Sequence, residues 1–318
     1  MQREQRKVSG FQIEAGGIWA AIHTPFRQDG TLDVEGIRHN VEIYSQALQL
    51  RGIFFCGLMG EYWSLCVEER KRFVETVADA AGGRLGMAPN CTHHSLSETI
   101  DLMRHARSAG CHYAALMNPP VGPRTDEALL DYFDAACSAS DIEVIIFNTP
   151  AGGYVLNPEL LARLCEIPNV KGIKAAGDDS DRVAVREACG AKVVVSDPME
   201  AHWLENLTVH RQTLLFADPE PYLYQRDGHR PIAGYFEHFQ RGDVEGCRAA
   251  FERLAPLRRV YDRWIMGPLR AGRPPSAALK VWAAAQGLAA GPTRPPVRAL
   301  LPAEQAGLLE DLHRVGLA

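Results

Sequence analysis

Lysine is the scarce residue of this chain. Six occur (Lys7, Lys71, Lys171, Lys174, Lys192 and Lys280) among 34 basic residues, so arginine carries most of the positive charge. Long apolar runs are missing too, and none approaches the ~18 residues that span a bilayer. No basic run or basic–aromatic interleave accompanies the net charge of −5, which leaves nucleic-acid binding unsupported. The polar start, Met1-Gln2-Arg3-Glu4-Gln5-Arg6-Lys7, has no apolar segment after it and does not read as a secretory signal. The cysteines (Cys56, Cys66, Cys91, Cys111, Cys137, Cys165, Cys189, Cys247) are scattered without a CxxC pair. That usage predicts free core thiols in a reducing cytoplasm, not disulfides or a zinc site. His93-His94 has no HExxH or similar ligand spacing around it, so no metal site is expected.

What is present is a regular alternation. Short apolar stretches at 18–22, 52–56, 85–90, 113–117, 144–148, 172–175, 192–196 and 213–217 read as buried parallel strands. Amphipathic segments such as 34–50, 67–81, 96–109, 126–139 and 158–166 lie between them. Eight such strands predict a (β/α)8 TIM barrel, a fold that reaches this length as one domain. An open doubly wound sheet is the alternative, but no GxGxxG follows the first strand. After the eighth strand the pattern becomes helical, broken at Gly272-Arg273-Pro274-Pro275 and at Gly291 to Pro296 into roughly three pieces. The expected organisation is an N-terminal tail at 1–15, the barrel at 16–233 and a C-terminal helical extension at 234–318.

Barrel chemistry sits at the C-terminal ends of strands. Those ends carry His23-Thr24-Pro25-Phe26, Gly57 to Glu61, Asn90, Asn118, Phe147-Asn148, Lys174, Ser196-Asp197 and Asp218. Lys174 is the one basic nucleophile among them. An arginine there could never lose its proton, whereas a desolvated lysine becomes an amine that attacks carbonyl carbon. A strand-end lysine can also simply snorkel to solvent.

The segments Thr24-Pro25-Phe26, Gly57-x-x-Gly60-Glu61, Asn148-x-Pro150 and Gly172-Ile173-Lys174 occur together in one order and spacing. With Lys280, Gly287-Leu288 and Arg294-Pro295-Pro296, they resemble the dihydrodipicolinate synthase/N-acetylneuraminate lyase family, from about Gly16 to Gly316. The resemblance implies a class I lyase or aldolase. Lys174 would form an imine with pyruvate or a bulkier 2-oxo acid, and a carbon–carbon bond would then form or break. No separate cofactor is needed beyond that covalent imine. The resemblance also implies a homo-oligomer, a tetramer or dimer, and substrate contacts from Thr24, Leu58, Met59, Asn148 and Asp197.

Departures from the family pattern all run in the apolar direction. Phe147 stands where the family has a proton-shuttling tyrosine, and a phenyl ring can neither donate nor accept a proton. Leu58-Met59 replace hydroxyl-bearing residues, leaving only their backbone amides for a substrate carboxylate. Val121-Gly122 follow the prolines where the synthase branch has another tyrosine. Dihydrodipicolinate synthase activity itself is therefore not expected. Leu58, Met59, Phe147 and Trp63 would instead shape an apolar pocket for a larger oxo acid. Protons would move through Tyr62, His23, Asp197, Asp218 or a bound water. His23 reads equally well as a hydrogen-bonded barrel residue, and Tyr62 as a packing aromatic. The acidic run Asp178-Asp179-Ser180-Asp181 reads as a helix cap. Two other readings remain open: a barrel that binds an oxo acid or a partner without efficient catalysis, and an imine-based dehydratase or decarboxylase.

Overall fold

The structure is a computed structural model that describes residues 11–119, 122, 124–150, 153–177 and 179–317. Val121 and Asp178 lie outside these described residues. The eight strands are β1 Gly17–Ala21, β2 Gly52–Phe55, β3 Gly86–Pro89, β4 Tyr113–Leu116, β5 Glu143–Asn148, β6 Val170–Ala175, β7 Val194–Ser196 and β8 Leu214–Phe216. Every strand end falls within about two residues of the sequence expectation, because continuously apolar, β-branched runs between polar helices leave little choice of register. Between the strands run α1 Val34–Glu42, α2 Val67–Ala81, α3 Leu96–Ser108, α4 Asp126–Ser138, α5 Pro158–Leu164, α6 Asp179–Cys189, α7 Trp203–Thr208 and a short α8, Glu220–Leu223. The helix expected to run to residue 50 changes geometry early, continuing from α1 as a π-helical turn over Ile43–Ala47.

The strands form two parallel ladders, β3-β2-β1-β8 and β4-β5-β6-β7. One seam between them is a single bridge from Asn90 to Ala115, supported by the Cys91 amide donating to Ala115 O at 2.9 Å. Side chains hold the other seam. Ser196 Oγ accepts from the Phe216 amide at 3.1 Å and donates to Leu214 O at 3.0 Å. Gln212 adds a bond from its Nε2 to Leu214 O at 2.8 Å and accepts the Asp197 amide at 2.9 Å. Backbone groups that a ladder would have paired are thus satisfied in its absence.

The barrel interior is filled from below. Trp19 is fully buried on β1, and a Cβ at Gly52 or Gly86 would lie within 2.5 Å of its ring. Those two glycines open the adjacent strands to admit the indole. Above it Phe216 stacks on Trp19 at 5.3 Å, and Phe54 meets both Phe216 and Phe147 at 5.6 Å. This aromatic layer is the floor of the C-terminal rim.

The tail contains more helices than the roughly three pieces expected: α9 Pro231–Gln240, α10 Val244–Glu252, α11 Ala255–Tyr261, α12 Gly267–Arg270, α13 Ser276–Ala285 and α14 Pro302–Arg314. The first begins ahead of residue 234, so that boundary falls inside a helix. A further break comes at Gly242, in the left-handed region at φ +76°, followed by Asp243 capping α10 through the Gly246 amide at 2.8 Å. The tail is tied to the barrel: Trp282 Nε1 donates to Leu223 O at 2.9 Å, and the Asn40 amide bonds Ala289 in both directions. No helix among the described residues is long and apolar enough to cross a membrane.

Candidate active site

Lys174, next to last in β6, has 0% exposure, its Cα paired in register with Phe147 on β5 and with Ser196 on β7. Its ammonium lies 4.6 Å from the Phe147 ring centroid, 5.0 Å from that of Phe54 and 5.6 Å from that of Phe216. Ring faces of this kind stabilise a cation. The sequence pointed to a lone amine in apolar surroundings, and here the structure corrects it. Asp218, just past the end of β8, places Oδ1 at 2.7 Å from Nζ, and Ala217 O lies at 3.4 Å. A carboxylate that is only 15% exposed in its side chain therefore compensates the buried charge.

The loop Gly57-Leu58-Met59-Gly60-Glu61 closes over the β2 end in a tight turn, with Gly60 N bonded to Gly57 O at 3.1 Å and Glu61 N to Leu58 O at 3.2 Å. Leu58 and Met59 amides donate to no backbone carbonyl among the described residues, so both stay available to a carboxylate. Thr24, fully buried, uses its hydroxyl to hold this loop through Gly60 O at 2.6 Å. Glu61 sits in the left-handed region at φ +54° and pairs with Lys280 Nζ at 2.7 Å. Lys280 comes from α13, so the tail completes the rim. Sequence reasoning did not assign it to the site; the only signal was its place in the resemblance.

The other predicted residues are held as follows. Asn148 is engaged by the loop behind it: Oδ1 accepts the Leu156 amide at 2.8 Å and Nδ2 donates to Leu156 O at 3.1 Å. Asp197 anchors the β7 end, receiving Arg182 at 2.8 Å, His202 at 3.0 Å, Asn206 at 3.2 Å and the Met199 amide at 3.0 Å. Tyr62 is half-buried in a 3-10 turn, edge-on to Trp63 at 5.8 Å, and burial raises its hydroxyl. Trp63, expected to wall an apolar pocket, is 40% exposed.

His23 bridges barrel and tail. Its Nε2 is 2.8 Å from Ala289 O and its ring lies 5.5 Å from Tyr222. Burial, opposed by the Ala289 carbonyl and assisted by the charge of Lys280, lowers it to about 4. The unfolded chain therefore binds a proton from about pH 6.5 downward that the folded chain refuses until about pH 4, and stability falls as pH drops through that window. The loss amounts to about 3 kcal/mol. In denaturant titrations between pH 7 and 4, His23→Asn should flatten this acid limb by that amount. His112, also lowered to about 4 by burial, contributes a limb that the variant leaves in place. An unchanged slope would show that His23 titrates normally.

Two cavities flank these elements. One, of about 200 Å³, opens at the ends of β5 and β6 between Asn148, Leu156, Ala175, Ala176 and Arg182. The larger, about 530 Å³, lies in the helical tail among His229, Tyr235, His238, Arg253, Leu257 and Leu317. Size ranks them in the reverse order of their nearness to Lys174, and only the smaller borders the strand that carries it.

Fold and site together define a (β/α)8 barrel with a buried, ion-paired lysine at the end of its sixth strand. Residues 14–211 match the Dihydrodipicolinate synthetase family, and the chain belongs to that family. A 4-hydroxy-tetrahydrodipicolinate synthase from Methanothrix thermoacetophila is 36% identical over 169 residues, 53% of this chain and 56% of that protein. This chain thus matches little more than half the length of that relative. Among solved structures, N-acetylneuraminate lyase from Proteus mirabilis superposes with a TM-score of 0.79 at 23% identity, covering 95% of this chain and 99% of the other. YagE, a prophage protein of the dihydrodipicolinic acid synthase family from E. coli K12 in complex with pyruvate, gives 0.83 at 21% identity, covering 95% and 99%. These two likenesses show the fold. Family membership supports an aldolase-like lyase.

Proposed function

We propose that the protein is a class I lyase for a 2-oxo acid, with Lys174 as the imine-forming amine and Asp218 as its acid/base partner. The observation that carries this is the 2.7 Å contact between Lys174 Nζ and Asp218 Oδ1 inside a closed aromatic layer. Asp218 takes a proton from the ammonium, and the freed lone pair attacks the keto carbon. The same carboxyl then protonates the carbinolamine oxygen, which leaves as water. The cationic imine draws electrons from the adjacent carbon–carbon or carbon–hydrogen bond, so no separate cofactor is required. Leu58 and Met59 amides, which donate to no backbone carbonyl among the described residues, receive the substrate carboxylate on this reading. Phe147 keeps the ring of the missing tyrosine, and the proton traffic passes to the opposite wall. Pyruvate bound in the YagE structure supports the substrate class.

Borohydride reduction with pyruvate and larger 2-oxo acids, read by peptide mass spectrometry, tests the reading. A reduced adduct on the Lys174 peptide is expected, and the acid trapped best narrows the substrate. Absence of any adduct across the panel would leave a barrel that binds without imine chemistry. Asp218→Asn keeps the shape but removes the base, and should slow adduct formation by ~10²-fold or more, the scale of a lost general acid/base. An unaffected rate would move the role to another group.

A further inference from the structure

Five acidic side chains are buried among the described residues: Glu61, Asp197, Glu200, Glu220 and Asp311. Four have a cation. Glu61 pairs with Lys280, Asp197 with Arg182, Glu200 with Arg258 and Asp311 with Arg263. Glu220, 1% exposed, has no ion pair, and its Oε2 has no hydrogen-bond partner among the described residues. It is separated from Asp218 only by Pro219. Lys174 is the nearby cation, and its one charge is already matched by Asp218. A second carboxylate there would be a buried charge with nothing opposite it, which favours the protonated acid.

The surroundings agree. Burial first, then the charge of Asp218 and less strongly that of Glu200, push Glu220 well above the usual carboxylate range, opposed by its own backbone amide and by Lys174. Glu200 itself is occupied by Arg258 and by the Tyr235 hydroxyl at 2.9 Å. Further titratable neighbours are the phenols Tyr222, Tyr224 and Tyr261, all raised by burial and uncharged at neutral pH, with Arg258 and Asp262 beside Tyr224. The hydroxyls of Tyr44 and Tyr261 are buried and, like Glu220 Oε2, have no hydrogen-bond partner among the described residues. Tyr44 sits in the π-helical turn after α1, with its ring 5.5 Å from Tyr222. Tyr261 immediately precedes a second π-helical turn, Asp262–Met266. Two π turns border this cluster of orphaned hydroxyls, and π turns are frequent at functional sites.

We propose that Glu220, two residues beyond Asp218, is a resident carboxylic acid, and that it stores and returns the proton Asp218 exchanges with Lys174 and its substrate. This rests on the imine reading above. Imine formation moves two protons from the amine nitrogen to the carbonyl oxygen while one C–N double bond forms and the C–O bond breaks to give water. Asp218 holds one proton at a time. Glu220 supplies one to the departing oxygen through Asp218, and the second proton lost by nitrogen refills it, so charge and atoms balance over the cycle. The carboxyl pair thus takes the work of the hydroxyl that Phe147 lacks.

The test uses the full chain, wild type and Glu220→Gln. Infrared spectra at neutral pH should show the carbonyl stretch of a protonated carboxylic acid in wild type, absent from Glu220→Gln. Deuterium uptake at the pyruvate methyl group in D2O, followed by NMR, should fall by ~10–100-fold in the variant, and the borohydride adduct on Lys174 should still form but more slowly. Glu220→Asp, which keeps an acid, should recover part of that exchange. No acid band in wild type overturns the proposal, whatever the variants do. Adduct with unchanged exchange in Glu220→Gln overturns the relay alone. No adduct in wild type overturns the imine reading, and the relay with it.

Discussion

Lys174→Arg is expected to give a folded protein that forms no adduct with any 2-oxo acid and retains less than ~10⁻³ of the parent turnover, because the covalent route through which the rate is gained is removed. Arginine keeps the positive charge opposite Asp218 and stacks on the same rings, so the ion pair and the aromatic layer have a substitute. It cannot surrender its proton, and attack on a keto carbon needs a free lone pair. A melting curve within a few degrees of wild type would separate chemistry from folding. The variant also decides between the two buried lysines. Lys280 is 3% exposed and carries a lowered pKa, for which burial is the main cause and Glu61 the main opposition. If reduced adduct persisted on Lys280 in the variant, the reactive amine would be the tail lysine. Geometry argues otherwise: Lys280 Nζ is taken up by Pro292 O and Glu61, each at 2.7 Å, and lies over the Phe26 ring at 4.2 Å.

The barrel was legible because buried parallel strands carry a signal of their own. Runs such as Val144 to Asn148 are apolar on both faces, and nothing else in the chain imitates them. Lys174 was legible for the same reason, as a charge at the end of such a run. Its helpers were harder to read, since Asn148, Asp197, Thr24 and His23 are polar residues at strand ends whose bonds go to loops and to the tail. A sequence shows that a polar group is present, not which way its hydrogen bonds point. Asp218 was only one proton carrier among several, and Glu220 was not considered at all. The signal existed in Ala217-Asp218-Pro219-Glu220-Pro221, two acids each followed by a proline directly after an apolar strand. Without the fold, nothing distinguishes that pair from a solvated turn. The β7–β8 seam was invisible, because Ser196 and Gln212 do there with side chains what backbone does elsewhere.

Lys280→Met should destabilise the protein by about 3–5 kcal/mol, the range for breaking a buried ion pair from one side. The loss comes less from the missing contact than from Glu61, which is fully buried and would be left with no cation in hydrogen-bond reach. In a chain of this length that corresponds to a melting shift of roughly 5 °C or more. The double variant Lys280→Met/Glu61→Gln removes both charges and should recover much of the deficit, because the penalty belongs to the unpaired partner. A double variant as unstable as the single one would mean that packing of the lysine stem over Phe26 dominates. The consequence reaches the substrate. Glu61 holds a left-handed conformation at the end of the turn that presents the Leu58 and Met59 amides, and such a conformation persists only where its surroundings enforce it. Releasing its side chain frees the turn, so weaker capture of the oxo acid should accompany the lower melting point, seen as a higher concentration for half-maximal trapping on an unaltered Lys174. On the proposed reading the tail helix is thereby part of the substrate site, although it lies more than a hundred residues beyond the lysine it serves.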